Sequence, residues 1–202
     1  DRLPEVLDEL EGLAEGSGVD VDLLILDNSV GTPRDSECTS LGLPHGTAGP
    51  ILGKNNDGNN PERCWVIHCC KPADGLPGVF VQSAGWLSGL DGINGAGLAS
   101  AHNSVGSIYP RPKNALEIRF QTYRLMRNCS SLAEYTAGFD AAPLTGRGFN
   151  ILLMDADGKA CVQEWAAPKV VRRGMAESFL YATNHFASPE LRDADTRSSE
   201  KR

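Results

Sequence analysis

Leu3, Val6, Leu7, Leu10, Leu13 and Ala14 return at steps of three and four residues, the period of one helical face. They predict an amphipathic helix over residues 4–15, stopped near Gly16 and Gly18. The apolar run in VDLLILDN (21–28) reads as a short buried strand, and GTPRDSE (31–37) as a polar loop. From Cys38 the pattern turns to β: CTSLGL (38–43), GPILGKNN (49–56), RCWVIHCC (63–70), GVFVQSA (78–84) and GINGAGLASAHNS (92–104) with its glycine-rich turn. Residues 114–127 put Leu116, Phe120, Tyr123 and Met126 on one stripe, and Ser131 followed by Glu134 forms a capping box for a second helix over 131–138. The last third returns to strands: a hairpin over 148–166 turning at Asp157–Gly158, then KVVRRG and SFLYATN. Strands, then helices, then strands predict an α+β fold of antiparallel sheets with helices on their outer faces.

At 202 residues the chain is long enough for one well-cored domain, taken here as a single unit over 1–202. No apolar run reaches the ~18 residues of a membrane span. Residues 1–37 hold eleven acids against Arg2 and Arg34, a balance of −9, so the other 165 residues carry about +2 of the net −7. Nothing resembles a basic stripe, which argues against nucleic acid as a partner. The charge step falls at Cys38 and marks a boundary there. Residues 1–37 and 38–202 are accordingly read as two segments of one precursor. A cytoplasmic location is favoured, and oligomeric state is left open, a homo-oligomer included.

Six cysteines are too few in a chain this long for a disulfide scaffold. Cys64, His68, Cys69 and Cys70 in CWVIHCC lie on a strand that sends neighbouring side chains to opposite faces, so structural thiols are expected and no metal. The glycines at 92, 95 and 97 fall in the wrong order for a dinucleotide loop and no helix follows, so no cofactor is expected.

Cys38 is the residue that offers chemistry. A thiol attacks as thiolate and needs a base. Were the chain cut between Glu37 and Cys38, the freed α-amine, of reference pKa about 7.7–8.0 against about 8.5 for the thiol, would be a base of matched strength joined to the sulfur by covalent geometry. The thiol would attack the Glu37 carbonyl, the peptide would shift to a thioester, and water would release the new terminus.

ECTSLGLPHG…GPILGKNND, GLDGINGAGLASAHNS and YATNHF, together with the stretch LDELEGLAEGSGVDVDLLILDN that precedes the boundary, resemble in order the motifs of the acyl-coenzyme A:6-aminopenicillanic acid acyltransferase family, relatives of the choloylglycine hydrolases. The resemblance implies an N-terminal-nucleophile (Ntn) hydrolase fold, a four-layer αββα sandwich. It also implies a self-processing amidohydrolase or acyltransferase that takes a small-molecule amide or acyl donor through an acyl-thioester. Carried over residue by residue, Cys38 is the nucleophile and Asp57 holds the freed amine. Lys54 stands where relatives carry arginine or glutamine and favours thiolate. Asn184 lends its side-chain amide to the oxyanion hole, and Asn103 contributes a backbone N–H. Glu37 precedes the nucleophile where glycine is usual, and Asn56 replaces a bulky residue, opening the pocket. Relatives continue well past the Thr-Asn-His segment, so the fold is expected here without its C-terminal part. The alternative is an uncleaved, non-catalytic member with a binding or assembly role. His102 and His185 flank the site and read as structural, since no helix follows Cys38 to support a papain-like pair.

Overall fold

The computed structural model describes residues 3–29, 38–57, 64–175 and 178–196. Glu37 and the loop before it lie outside them. Helix α1 (Pro4–Ser17) runs two residues beyond its expected end and closes on Gly18, whose positive φ of 71° gives a left-handed cap. The segment expected as a strand is instead helix α2 (Val21–Ser29). An unbroken apolar run does not distinguish the two forms. Here Asp20 decides, its side chain accepting from the Asp22 N–H at 2.8 Å and its carbonyl from the Leu23 and Leu24 N–H groups.

Strands β1 (Cys38–Gly46), β2 (Gly49–Asn56), β3 (Trp65–Cys70), β4 (Gly78–Ser83), β5 (Gly92–Asn94) and β6 (Ala99–Val105) follow in order. Next come β7 (Leu116–Glu117), α3 (Ile118–Asn128), α4 (Leu132–Asp140) and β8 (Leu144–Thr145), then β9 (Gly148–Met154), β10 (Ala160–Ala166), β11 (Lys169–Arg173), β12 (Leu180–Ala182) and the short α5 (Pro189–Arg192). Helix α3 starts four residues later than the apolar stripe predicts, because Leu116 and Glu117 pair in parallel with β8 and the Glu117 side chain then caps the helix from outside. The Ser131 cap of α4 is present, its Oγ accepting from the Glu134 N–H at 3.3 Å.

Two antiparallel sheets form the centre, a small one in the order β12-β1-β2 and a large one in the order β11-β10-β9-β6-β5-β4-β3. Leu152 and Val162 of the large sheet meet Leu52, Leu180 and Ala182 of the small one. At that interface a Cβ on Gly42 would stand 3.1 Å from Leu152 Cδ2, so the bare backbone sets how closely β1 approaches. The opposite face of the large sheet carries the helices, with Val6, Leu10, Tyr123, Met126, Tyr135 and Phe139 packed on Phe149, Ile151, Leu153 and Trp165. Among the described residues the molecule is therefore a helix–sheet–sheet sandwich, three of the four expected layers.

The acidic segment is sewn into this body. Asn28, fully buried on α2, donates to the Gly85 carbonyl at 2.8 Å and accepts from the Leu87 N–H at 2.9 Å. On α1, Glu9 pairs with Arg127 and accepts from the Tyr123 hydroxyl at 2.8 Å.

Candidate active site

Cys38 opens β1 at the inner face of the small sheet and is buried. Its main-chain N–H donates to Asn184 Oδ1 at 2.5 Å, and its thiol donates to Asn56 Oδ1 at 3.1 Å. Asn56 is its cross-strand partner on β2, so strand register alone brings the two together. Asn184 lies just past β12, the other neighbour of β1, and its Nδ2 donates to the Ser104 carbonyl on β6 at 2.7 Å. Asn184 thus ties the Cys38 nitrogen to β6, and with the 37–38 peptide intact it acts as a clamp on that nitrogen.

Lys54, one inward-facing position before Asn56, turns away from bulk water. Its ammonium donates to Asp91 Oδ2 at 2.6 Å and lies 3.0 Å from His102 Nδ1. Asp91 also reaches His102 twice, with Oδ1 accepting from the main-chain N–H at 2.9 Å and Oδ2 lying 2.8 Å from Nδ1. Burial alone would raise the Asp91 pKa, but His102 and Lys54 hold its carboxyl well below the usual carboxylate range. Burial pushes the His102 pKa down, and Lys54 and Arg119 add to this against the pull of Asp91. Burial likewise pushes the Cys38 thiol up. Lys54 opposes that, the Asp91 charge reinforces it, and hydrogen bonds from Asn184 and the Asp57 main chain favour thiolate.

The Asp57 carboxylate is exposed and accepts from Asn55 Nδ2 at 2.5 Å. It does not touch the Cys38 nitrogen, whose one proton Asn184 already holds. Asn103 is fully buried beneath Ser40, whose hydroxyl donates to its Oδ1 at 2.7 Å, while its Nδ2 has no partner. Its main-chain N–H is not the expected oxyanion donor. The His102 N–H points to Asp91, so by strand alternation the next N–H points into the ladder where Asn103 pairs with Asn150. Cys64 and Cys69 are exposed, Cys70 half-buried, and His68 Nδ1 pairs with Gln82 Nε2 at 3.1 Å. Among the described residues no group of three His, Cys, Asp or Glu side chains could hold a metal ion.

Cys38 stands in a cleft of about 60 Å³ that also meets Asn56, Gln82, Asp91, His102 and Arg119. Val81 and Gln82, on opposite faces of β4, both line it, so the cleft passes through the large sheet where short β5 leaves β4 and β6 apart. It shares Asn56, Val81 and Asp91 with a groove of about 740 Å³ running beneath β2, walled mainly by Ile51, Leu52, Ile93, Ala101 and Met154. A buried thiol, a buried ion cluster and an apolar trough therefore meet at one place. The pairing of Asp91 with His102 was not legible in the sequence. The signal was the aspartate that ends GLD ahead of the glycine turn, which only the fold brings beside Lys54.

Comparison with known proteins fits this arrangement. The structure is similar to a mutant form of conjugated bile acid hydrolase from Clostridium perfringens, with a TM-score of 0.55 at 15% identity over 76% of this chain and 55% of that one. Penicillin V acylase from Agrobacterium tumefaciens aligns over 75% of this chain and 46% of that one at 17% identity, with a TM-score of 0.42. The chain thus spans about half the length of these solved structures, and the first match shows that it shares the Ntn-hydrolase fold. No curated protein matches the chain. The family model of acyl-coenzyme A:6-aminopenicillanic acid acyl-transferase matches residues 45–202, beginning seven positions after Cys38. The chain belongs to that family.

Proposed function

We propose that this protein is an Ntn-type enzyme of amide and acyl-transfer chemistry that cuts itself between Glu37 and Cys38 and then works through an acyl-thioester on Cys38. The observation that carries this reading is that the sulfur and the main-chain nitrogen of one cysteine are each held by an asparagine, Asn56 at 3.1 Å and Asn184 at 2.5 Å, at the mouth of a cleft. In the cut itself the sulfur adds to the Glu37 carbonyl carbon, the C–N bond breaks, and the departing nitrogen takes up the thiol proton. Water then hydrolyses the thioester.

The cut frees an amine with more protons than the peptide had. Asn184 accepts one, and Asp57, which directly follows Asn56 and whose main chain already hydrogen-bonds the Cys38 thiol, accepts another once its carboxylate leaves Asn55. Lys54 favours thiolate by its charge. Asn103, whose buried Nδ2 lacks a partner, is the donor assigned to the developing oxyanion, an interaction commonly worth about 3–4 kcal/mol in the transition state. The apolar groove beside the cleft suits an apolar acyl group. Water as acceptor requires no dedicated site, so hydrolysis is the default outcome and acyl transfer the variant that an amine would bring.

The test is a panel of N-acyl aminocoumarin amides of increasing acyl length, assayed with wild type and Cys38→Ala. Turnover that rises with acyl length and vanishes in the variant supports the proposal. Turnover that survives the substitution overturns the role of Cys38, and a wild type that turns over none of the amides leaves a binding or assembly role for the same fold.

A further inference from the structure

The β6 histidine beside the nucleophile is built like a base. Asp91 grips His102 at two points, the main-chain N–H and the ring Nδ1, at 2.9 and 2.8 Å. That double hold fixes both the position and the rotation of the imidazole. A carboxylate only accepts hydrogen bonds, and the Nδ1 contact to Asp91 is shorter than the 3.0 Å approach of Lys54. The ring proton therefore belongs on Nδ1, donated to Asp91. Nε2 is left as a lone pair, with no partner among the described residues, on a ring that lines the same cleft as Cys38. The His102 ring also stands edge-on to Phe149, at 5.6 Å between ring centres.

We propose that His102 is a catalytic base of this site, oriented by Asp91 and Lys54, which draws the proton from the water that hydrolyses the Cys38 thioester. This rests on Cys38 being the nucleophile. In the step, the water oxygen bonds to the thioester carbonyl carbon while Nε2 takes one water proton. The tetrahedral intermediate then collapses, the carbon–sulfur bond breaks, and the imidazolium returns its proton to the departing sulfur. The products are a carboxylic acid and the free thiol, and no other reactant is needed.

The charged groups around the ring suit that task. Arg119 from α3 and Arg147 near β9 line the same cleft, and Lys54 from β2 reaches Asp91, the one carboxylate among the cleft's lining residues, at 2.6 Å. Burial, with Lys54 and Arg119 against the pull of Asp91, lowers the imidazole's pKa, so the ring is uncharged at neutral pH and its Nε2 can accept a proton. A division of labour follows, with the Cys38 amine serving acylation and His102 serving deacylation.

Two measurements on the full chain decide this. With p-nitrophenyl butyrate, wild type gives a burst of one nitrophenolate per Cys38 followed by steady turnover. His102→Gln is expected to keep the burst and lose roughly 10²- to 10⁴-fold in the steady rate, with added imidazole restoring part of it in His102→Ala. A steady rate and pH profile within twofold of wild type would overturn the proposal. Absence of any burst in wild type would instead overturn the assignment of Cys38 and this proposal with it. Independently of any variant's folding, long-range ¹H–¹⁵N correlation of wild type is expected to find the His102 proton on Nδ1. A proton on Nε2 overturns the role of base.

Discussion

The main-chain nitrogen of Cys38 and the side-chain oxygen of Asn184 lie 2.5 Å apart although 146 positions separate them in the chain. Strand order explains the meeting, since β12 and β2 flank β1 and deliver Asn184 to the nitrogen and Asn56 to the sulfur. The contact has a direct consequence. Asn184→Ala leaves the buried Cys38 N–H without an acceptor at a cost of about 1–3 kcal/mol, so cleavage at 37/38 is expected to slow by roughly 10- to 100-fold. The cut fraction of freshly refolded protein, followed by mass spectrometry, reads this. A rate unchanged by the substitution would remove Asn184 from the cleavage mechanism.

Lys54 and Asp91 act on the thiol with opposite signs. Lys54→Met removes the cation that lowers the Cys38 pKa, so the pH midpoint of alkylation at Cys38 moves up; Asp91→Asn removes the opposing charge and moves it down. Peptide mass spectrometry after iodoacetamide treatment resolves Cys38 from the other thiols. Both variants also break an ion pair whose side chains are only 11% and 12% exposed, at an expected stability cost of about 3–5 kcal/mol. Midpoints that move the same way would refute the electrostatic account.

Glu117 sets a pH dependence away from the site. Burial pushes its carboxyl up to about 7, against the pull of Arg119. A raised carboxyl pKa means that between about 4.5 and 7 the folded state binds the proton more tightly than the unfolded chain. Stability therefore falls as pH rises through that window, by about 3 kcal/mol in total. Glu117→Gln keeps an acceptor for the Arg119 N–H that Glu117 caps and should flatten this slope. Urea midpoints at pH 5 and pH 8 provide the check.

Asn28 holds the acidic segment to the rest of the molecule with bonds at 2.8 and 2.9 Å to the loop after β4. Asn28→Ala leaves the Leu87 N–H without its acceptor and the Gly85 carbonyl without its donor, with an expected loss of about 2–3 kcal/mol. After a cut at 37/38 the two pieces of this variant should separate on size-exclusion chromatography at a lower urea concentration than those of wild type. Equal co-elution would place the holding force elsewhere on α1.

Much of this architecture was legible in the residues. The period of Val6 and Leu10, the Ser131–Glu134 cap and the turn at Gly158 each encode their element locally, and each is found where the pattern puts it. The α2 segment misled because LLIL carries no alternation, and its form was decided by Asp20. The structure places Cys38, Lys54, Asn184 and Asn103 around the junction of β1, β2, β6 and β12. What the residues did not reveal is which partner each would take. Asp91, 37 positions from Lys54 in the chain, takes its ammonium, and Asn56, expected only as an opening in the pocket, accepts from the thiol. Such pairings depend on the gap that short β5 leaves in the large sheet, a property of the assembled fold.

The most direct measurement of the central claim is the intact mass and N-terminal sequence of the purified 202-residue chain after incubation at neutral pH. The account predicts two fragments, one beginning Cys-Thr-Ser-Leu-Gly at position 38, with the Cys38→Ala variant remaining a single species near 21.6 kDa. A wild-type chain that stays whole at 21.6 kDa, or a variant cut at the same bond, would contradict it.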